Sequence, residues 1–278
     1  MGRPALAGRL RLGDHPRVGS EAVLELLDRG DAAQRLPRLG GMARADGVVV
    51  VSERFWAFAR SDGSLREGRM PATTRRLRRV PLVRGLVRLA ASLSPLFRRA
   101  GVAKKRERLF LAVAVFAPLA LVWAPSTVRM TVVATLTVAL MAWLLRGRTL
   151  FLHGAEHRAI AAAEERRLRA TWLADARPSR FSPRCGTNFA ALLMPVSVLA
   201  QHFWPLGTAA FTPLVVTILS LAVTMELWQL VQASSSRAAR ALLVPGLLLQ
   251  RLTTREPELD ETRVALRAVA SVLRREFD

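Results

Sequence analysis

Two long apolar stretches dominate the polarity pattern of the chain. From Leu109 to Leu145 the sole ionisable side chain is Arg129, and from Asn188 to Met225 there is no Asp, Glu, Lys or Arg. Each stretch is roughly twice the ~20 residues that carry a helix across a bilayer, so each reads as a helical hairpin. The first hairpin (109–145) turns near Pro125 and Ser126, the second (188–228) near Pro205 and Gly207. The pattern predicts a mainly α integral membrane bundle of about four transmembrane helices.

The flanks differ in kind. Residues 1–38 alternate Arg, Gly and small apolar groups around one helical patch, Glu21–Leu27, and read as a basic flexible tail without a cleaved targeting segment. Residues 39–80 hold a β-branched run at Val48–Val51, an apolar and aromatic run at Phe55–Ala59, and the turn signal Ser61-Asp62-Gly63-Ser64, which predict a small β-meander. In 81–108, Leu82, Val83, Leu86, Leu89, Ala90 and Leu93 recur at helical spacing, with Arg84 and Arg88 a turn apart. This fits an interfacial amphipathic helix, and equally a helix packed on the bundle. Between the hairpins lies a polar insert, 146–187. Its portion Ala155–Ala170 is rich in strong helix formers, and Pro178 and Pro183 mark a loop after it. The remainder, 229–278, reads as a C-terminal helical segment, with Leu259–Phe277 as a surface helix.

Charge decides which partner suits this pattern. The 278 residues carry a formal net charge of +21 but no Tyr, and no basic patch is interleaved with aromatics as in base-stacking proteins. The basic residues instead crowd the borders of the apolar runs. They point to a bilayer with anionic lipids rather than to nucleic acid. By the positive-inside rule, both termini and the polar insert face the cytoplasm of a multi-pass cell-membrane protein. A single cysteine excludes an intrachain disulfide and suits that reducing side.

The polar insert also holds the candidate chemistry. His153-Gly154-Ala155-Glu156-His157 has the spacing H-x-x-E-H, which on a helix raises two imidazoles from one face a single turn apart. Such a pair can hold a divalent metal, zinc by this motif, while Glu156 acts as general base on water. A catalytic zinc wants a further protein ligand. Cys185 is the stronger candidate, returning on a loop at the start of a predicted span. Glu226, emerging at the same predicted depth, is the other. Glu164, seven residues past His157, sits roughly 10 Å along a regular helix and cannot share the ion.

Three blocks carry a resemblance. His153-Gly154-Ala155-Glu156-His157-Arg158, Pro183-Arg184-Cys185-Gly186-Thr187-Asn188-Phe189 and Gln250–Pro257 resemble, in order, HGAEHK, HPRCGTSF and QxLTTxEP of the YqhQ-like membrane family (domain of unknown function 1385). Weaker similarity covers Gly40-Gly41 with Asp46-Gly47-Val48. The family is described as predicted metal-dependent enzymes, so the resemblance implies a bacterial integral membrane protein with a metal site and supplies no substrate. This chain departs from the pattern at Ser182, Met42, Asp46 and Leu152, where the family has His, Gln, Glu and Tyr. The expected function is a metal-dependent hydrolase at the cytoplasmic membrane face. The alternative is a non-catalytic scaffold, assembly factor or lipid-binding protein with a structural or degenerate metal site.

Overall fold

The computed structural model describes residues 20–72, 77, 79–97, 101–121, 124–205 and 211–278. The chain runs from α1 (Ser20–Ala32) into four strands, β1 (Gly40–Arg44), β2 (Gly47–Val51), β3 (Phe55–Arg60) and β4 (Leu65–Arg69). Helices α2 (Val83–Phe97), α3 (Lys105–Ala120) and α4 (Ser126–Leu144) follow, then α5 (Thr149–Glu164) and the short α6 (Leu168–Trp172). The second apolar stretch forms α7 (Gly186–His202) and α8 (Thr212–Ala233), and the chain ends in α9 (Arg237–Ala241), α10 (Val244–Thr253) and α11 (Leu259–Phe277).

The strands form an antiparallel meander in the order β1-β2-β3-β4. Because side chains alternate across a strand, the pairs Val48↔Ala59 and Val50↔Ala57 face one side and Val49↔Phe58 the other. The first side packs on α5 and α11. The second meets Trp56, Val102 and Leu96 in a smaller cluster. Both faces are thus covered, which explains why β2 reads as an unbroken Val run rather than as alternation. Ser61–Ser64 closes the β3–β4 turn, with Gly63 at φ 84° and the Ser64 amide donating to Asp62 Oδ1 at 2.9 Å.

Two segments sit deeper than their sequence suggests. Within the expected tail, α1 buries Val23 and Leu27 in the main core, while residues 1–19 lie outside the described residues. Leu259–Phe277, expected on the surface, is the central core helix: Ala265, Leu266, Ala268, Val269 and Leu273 are buried between the sheet and α5. Toward its C-terminal end, Glu67 of β4 accepts from Ser271, Arg274 and Arg275. The small residues Ala155, Ala159, Ala162 and Ala163 let α5 pack close to this helix.

Among the described residues, two helices are long and apolar enough to cross a membrane: α4 over Thr127–Leu144 and α8 over Thr212–Ala233. No part of the α4 window is buried among the described residues. The companions α3 and α7 are 16 and 17 residues long. Helix α2 packs on α8, with Gly85 where a Cβ would lie 2.6 Å from the Met225 Cβ. This amphipathic segment therefore packs on the bundle.

Candidate metal centre

The site lies where α5, the loop before α7 and the segment after α10 meet. Helical spacing puts His153 and His157 on one face of α5, with ring centroids 4.5 Å apart. The loop 173–185 then returns Cys185 to that face as the N-cap of α7, its Sγ accepting from the Thr187 hydroxyl at 3.2 Å. His153 Nε2 stands 3.2 Å from Cys185 Sγ.

Two backbone carbonyls fix the imidazoles. His153 Nδ1 lies 2.9 Å from the Thr253 oxygen, and His157 Nδ1 lies 2.6 Å from the Arg180 oxygen. A carbonyl only accepts, so each Nδ1 carries a proton, and in the neutral ring this leaves the lone pair on Nε2. Both rings are therefore set in the tautomer that a metal ligand needs, by the outer-shell bond typical of ligating histidines.

Whether these residues suit an ion is decided by what surrounds His157. The side chain is 2% exposed and its Nε2 is buried with no hydrogen-bond partner among the described residues. A buried nitrogen lone pair left so is costly unless something binds it. One ligand atom from each of His153, His157 and Cys185 lies within 4.8 Å of the others. Ligands about 2.0–2.3 Å from a tetrahedral ion stand roughly 3.3–3.8 Å apart, inside that span. The group could hold a metal ion.

Glycines allow the partners to come close. A Cβ on Gly154 would lie 2.2 Å from the Arg255 oxygen, so the chain after α10 can cross α5 only over a glycine. There the Arg255 amide donates to the Leu150 oxygen at 2.9 Å, which places the Thr253 carbonyl over His153. Similarly, a Cβ on Gly41 would lie 2.8 Å from Glu156 Oε1. The Cys185 loop is held by the fully buried Gln250, which accepts from the Ser182 amide at 2.9 Å and donates to the Ser182 carbonyl at 2.8 Å. Asn188 adds bonds to the carbonyls of Ser182 and Pro183.

Glu156 opens into the same cavity of about 490 Å³ as His153, His157 and Cys185. It is 5% exposed, and burial pushes its carboxyl up to about 7 against a smaller opposing pull from His153. A carboxyl that titrates near neutrality is suited to taking up and releasing a proton.

The structure does not bring Glu226 to this cluster. Its carboxylate accepts from Arg84 Nε at 2.9 and 3.0 Å and from the Leu82 amide at 3.0 Å, which ties α2 to α8. The expected role as an extra ligand is corrected accordingly: its oxygens are committed to a guanidinium. Glu164 is likewise paired, with Arg184. The carbonyls of Thr253 and Arg180, together with Gly41 and Gln250, are the parts of the site that residue types alone did not mark. In the sequence, Thr253 and Gln250 fall in the Gln250–Pro257 block and Gly41 in the weaker Gly40-Gly41 similarity, while Arg180 carries no signal.

A family model described as a protein of unknown function (DUF1385) matches residues 109–275. No curated protein and no solved structure matches the chain.

Proposed function

The chain belongs to the DUF1385 family, whose description assigns no activity, and from its site we propose a metal-dependent hydrolase at the cytoplasmic face of a bacterial inner membrane. One observation carries the reading. Two imidazoles with pinned Nδ1 protons, one with an orphaned buried Nε2, share a cavity with a cysteine and a carboxyl raised to about 7. His153, His157 and Cys185 would hold the ion, zinc by the mixture of imidazole and thiolate. When bound, the ion supplies Lewis acidity, polarising a substrate oxygen and making water more acidic. Glu156 takes the proton of the attacking water on its carboxylate and returns it to the leaving group. The Thr253 and Arg180 carbonyls keep both rings oriented throughout.

The proposed topology has α3, α4, α7 and α8 as four spans. The sheet, α5 and α11 lie with both termini on the basic, cytoplasmic side. Replacing Glu156 by Gln keeps shape and burial while removing the base. A strain carrying Glu156→Gln at normal abundance and metal content is expected to reproduce the deletion phenotype, whereas full function in that strain would overturn the hydrolase. Ser182 favours a second reading, a lipid-binding scaffold with a structural metal. It lines the cavity with a hydroxyl where the resemblance has an imidazole, and the same strain separates the two.

A further inference from the structure

We infer that the cavity above the His153–His157–Cys185 cluster takes the acyl chain of an anionic membrane phospholipid, whose phosphate lies in the adjoining arginine groove. The inference rests on the membrane orientation proposed above and makes the substrate of that site a lipid.

Away from the cluster, Glu156, Arg184 and four hydroxyl side chains, the cavity wall is apolar. Met42 of β1, Ile160 of α5, Ala190 of α7 and Leu249 of α10 enclose it, and Met141, Leu144 and Leu145 complete it at the end of α4. These last three are 46%, 38% and 41% exposed, on a helix apolar enough to cross a membrane. The cavity therefore adjoins the point where α4 leaves the hydrocarbon. Its volume of about 490 Å³ is that of a small-molecule site with few convergent polar groups. The part of the wall formed by Met42, Met141, Leu144, Leu145, Ile160, Ala190 and Leu249 offers no side-chain hydrogen bond, and an acyl chain would bury apolar surface against it.

A second groove of about 310 Å³ shares Leu39, Ile160 and Arg184 with the cavity. It adds Arg38 and Arg166, with Glu164 as its acid, so three guanidinium groups face one carboxylate. Arg166 is held over the end of α1 by the Gly30 carbonyl at 2.8 Å, at φ 57°, a strained conformation for a residue with a Cβ. Arg184 meets Glu164 in a half-exposed pair of the kind worth little in water. It can exchange that partner for a phosphate, which guanidinium groups bind with two parallel bonds. Chain and headgroup sites thus lie side by side, joined at Leu39, Ile160 and Arg184, with the cluster on the chain side.

The test uses the full-length protein in phosphatidylcholine vesicles doped with phosphatidylglycerol or phosphatidylcholine bearing a diazirine on one acyl chain. After irradiation, adducts are mapped by mass spectrometry and metal content is measured on the same samples. Adducts are expected on Met42, on a strand outside the membrane, and about five-fold more with phosphatidylglycerol than with phosphatidylcholine. Ala190→Trp, which fills the cavity from its exposed side, should abolish the Met42 adduct. Arg38→Glu should cut the headgroup preference about five-fold without touching the cavity. Adducts confined to α3, α4, α7 and α8, equal labelling by both lipids, or labelling unchanged in both variants would overturn the site. Metal-free protein that still labels Met42 supports the lipid site while counting against the hydrolase. Metal-loaded protein without that adduct overturns the lipid site alone.

Discussion

Glu156 is buried against the direction its charge prefers, and that has a measurable sign. Its folded pKa of about 7 lies above the ordinary 4.5, so between these values the folded state binds more protons than the unfolded one. Stability of the metal-free protein should therefore fall as pH rises from about 4.5 to 7, by at most about 3.4 kcal/mol, and level off beyond. Glu156→Gln removes that dependence, so its melting temperature should exceed that of the native chain at pH 8 and match it near pH 4. A second prediction concerns Gly154. Ala there drives the Arg255 backbone away from α5 and with it the Thr253 carbonyl. Metal affinity measured by competition with a chelating dye should drop roughly 10- to 100-fold, the usual cost of losing an outer-shell bond to a ligating histidine. The ligand pair was legible in the sequence because two histidines four apart on a helix have few other geometries. Its orienting partners were not, because they are backbone carbonyls, which any residue type supplies. Glu226 is misread for a related reason: an acid near the end of an apolar run is visible in the sequence, but its attachment to Arg84 is not.

Among the elements, the meander was legible in its β-branched and aromatic runs and its Ser61–Ser64 turn. The two-sided burial of β2 was already written in Val48–Val51. The charges of α11 suggest exposure, yet Glu67 of β4 takes up Arg274 and Arg275 and Arg148 takes up Glu261, while the alanine and valine face is buried. That attachment gives a test of opposite sign to Glu156. Burial raises the Glu67 carboxyl, but the Ser271 hydroxyl with Arg274 and Arg275 outweighs it and holds the group below its ordinary value. A depressed acid stabilises the fold above its unfolded pKa, and this contribution is lost as pH falls through the folded one. Glu67→Gln should therefore destabilise the protein at pH 7 and make little difference well below pH 4, as read by thermal melting across that range. Gln250 makes a similar clamp for the Cys185 loop. Gln250→Leu strands the Ser182 amide and weakens the loop, with an expected cost of about 1–3 kcal/mol and increased thiol reactivity of Cys185 toward maleimide.

At the level of the whole molecule, a soluble-looking body of sheet, α1, α5, α6 and α11 is joined to apolar helices, of which α4 and α8 have the length and composition of spans. The apolar runs were plain in the sequence, but their helix lengths were not, since α3 and α7 end before the runs do. The four-span proposal predicts labelling from outside. In a Cys185→Ser chain, a cysteine at Pro125 or Pro205 should react with an impermeant maleimide on intact cells. One at Ser234 should react only after permeabilisation. The central claim is that His153, His157 and Cys185 together hold an ion, and metal analysis of the detergent-purified full-length protein tests it most directly. The account predicts about one zinc per chain, retained in His202→Ala and lost in His157→Ala and Cys185→Ser. A folded native chain that carries no metal after purification without chelators, and takes none up from added zinc, would contradict it.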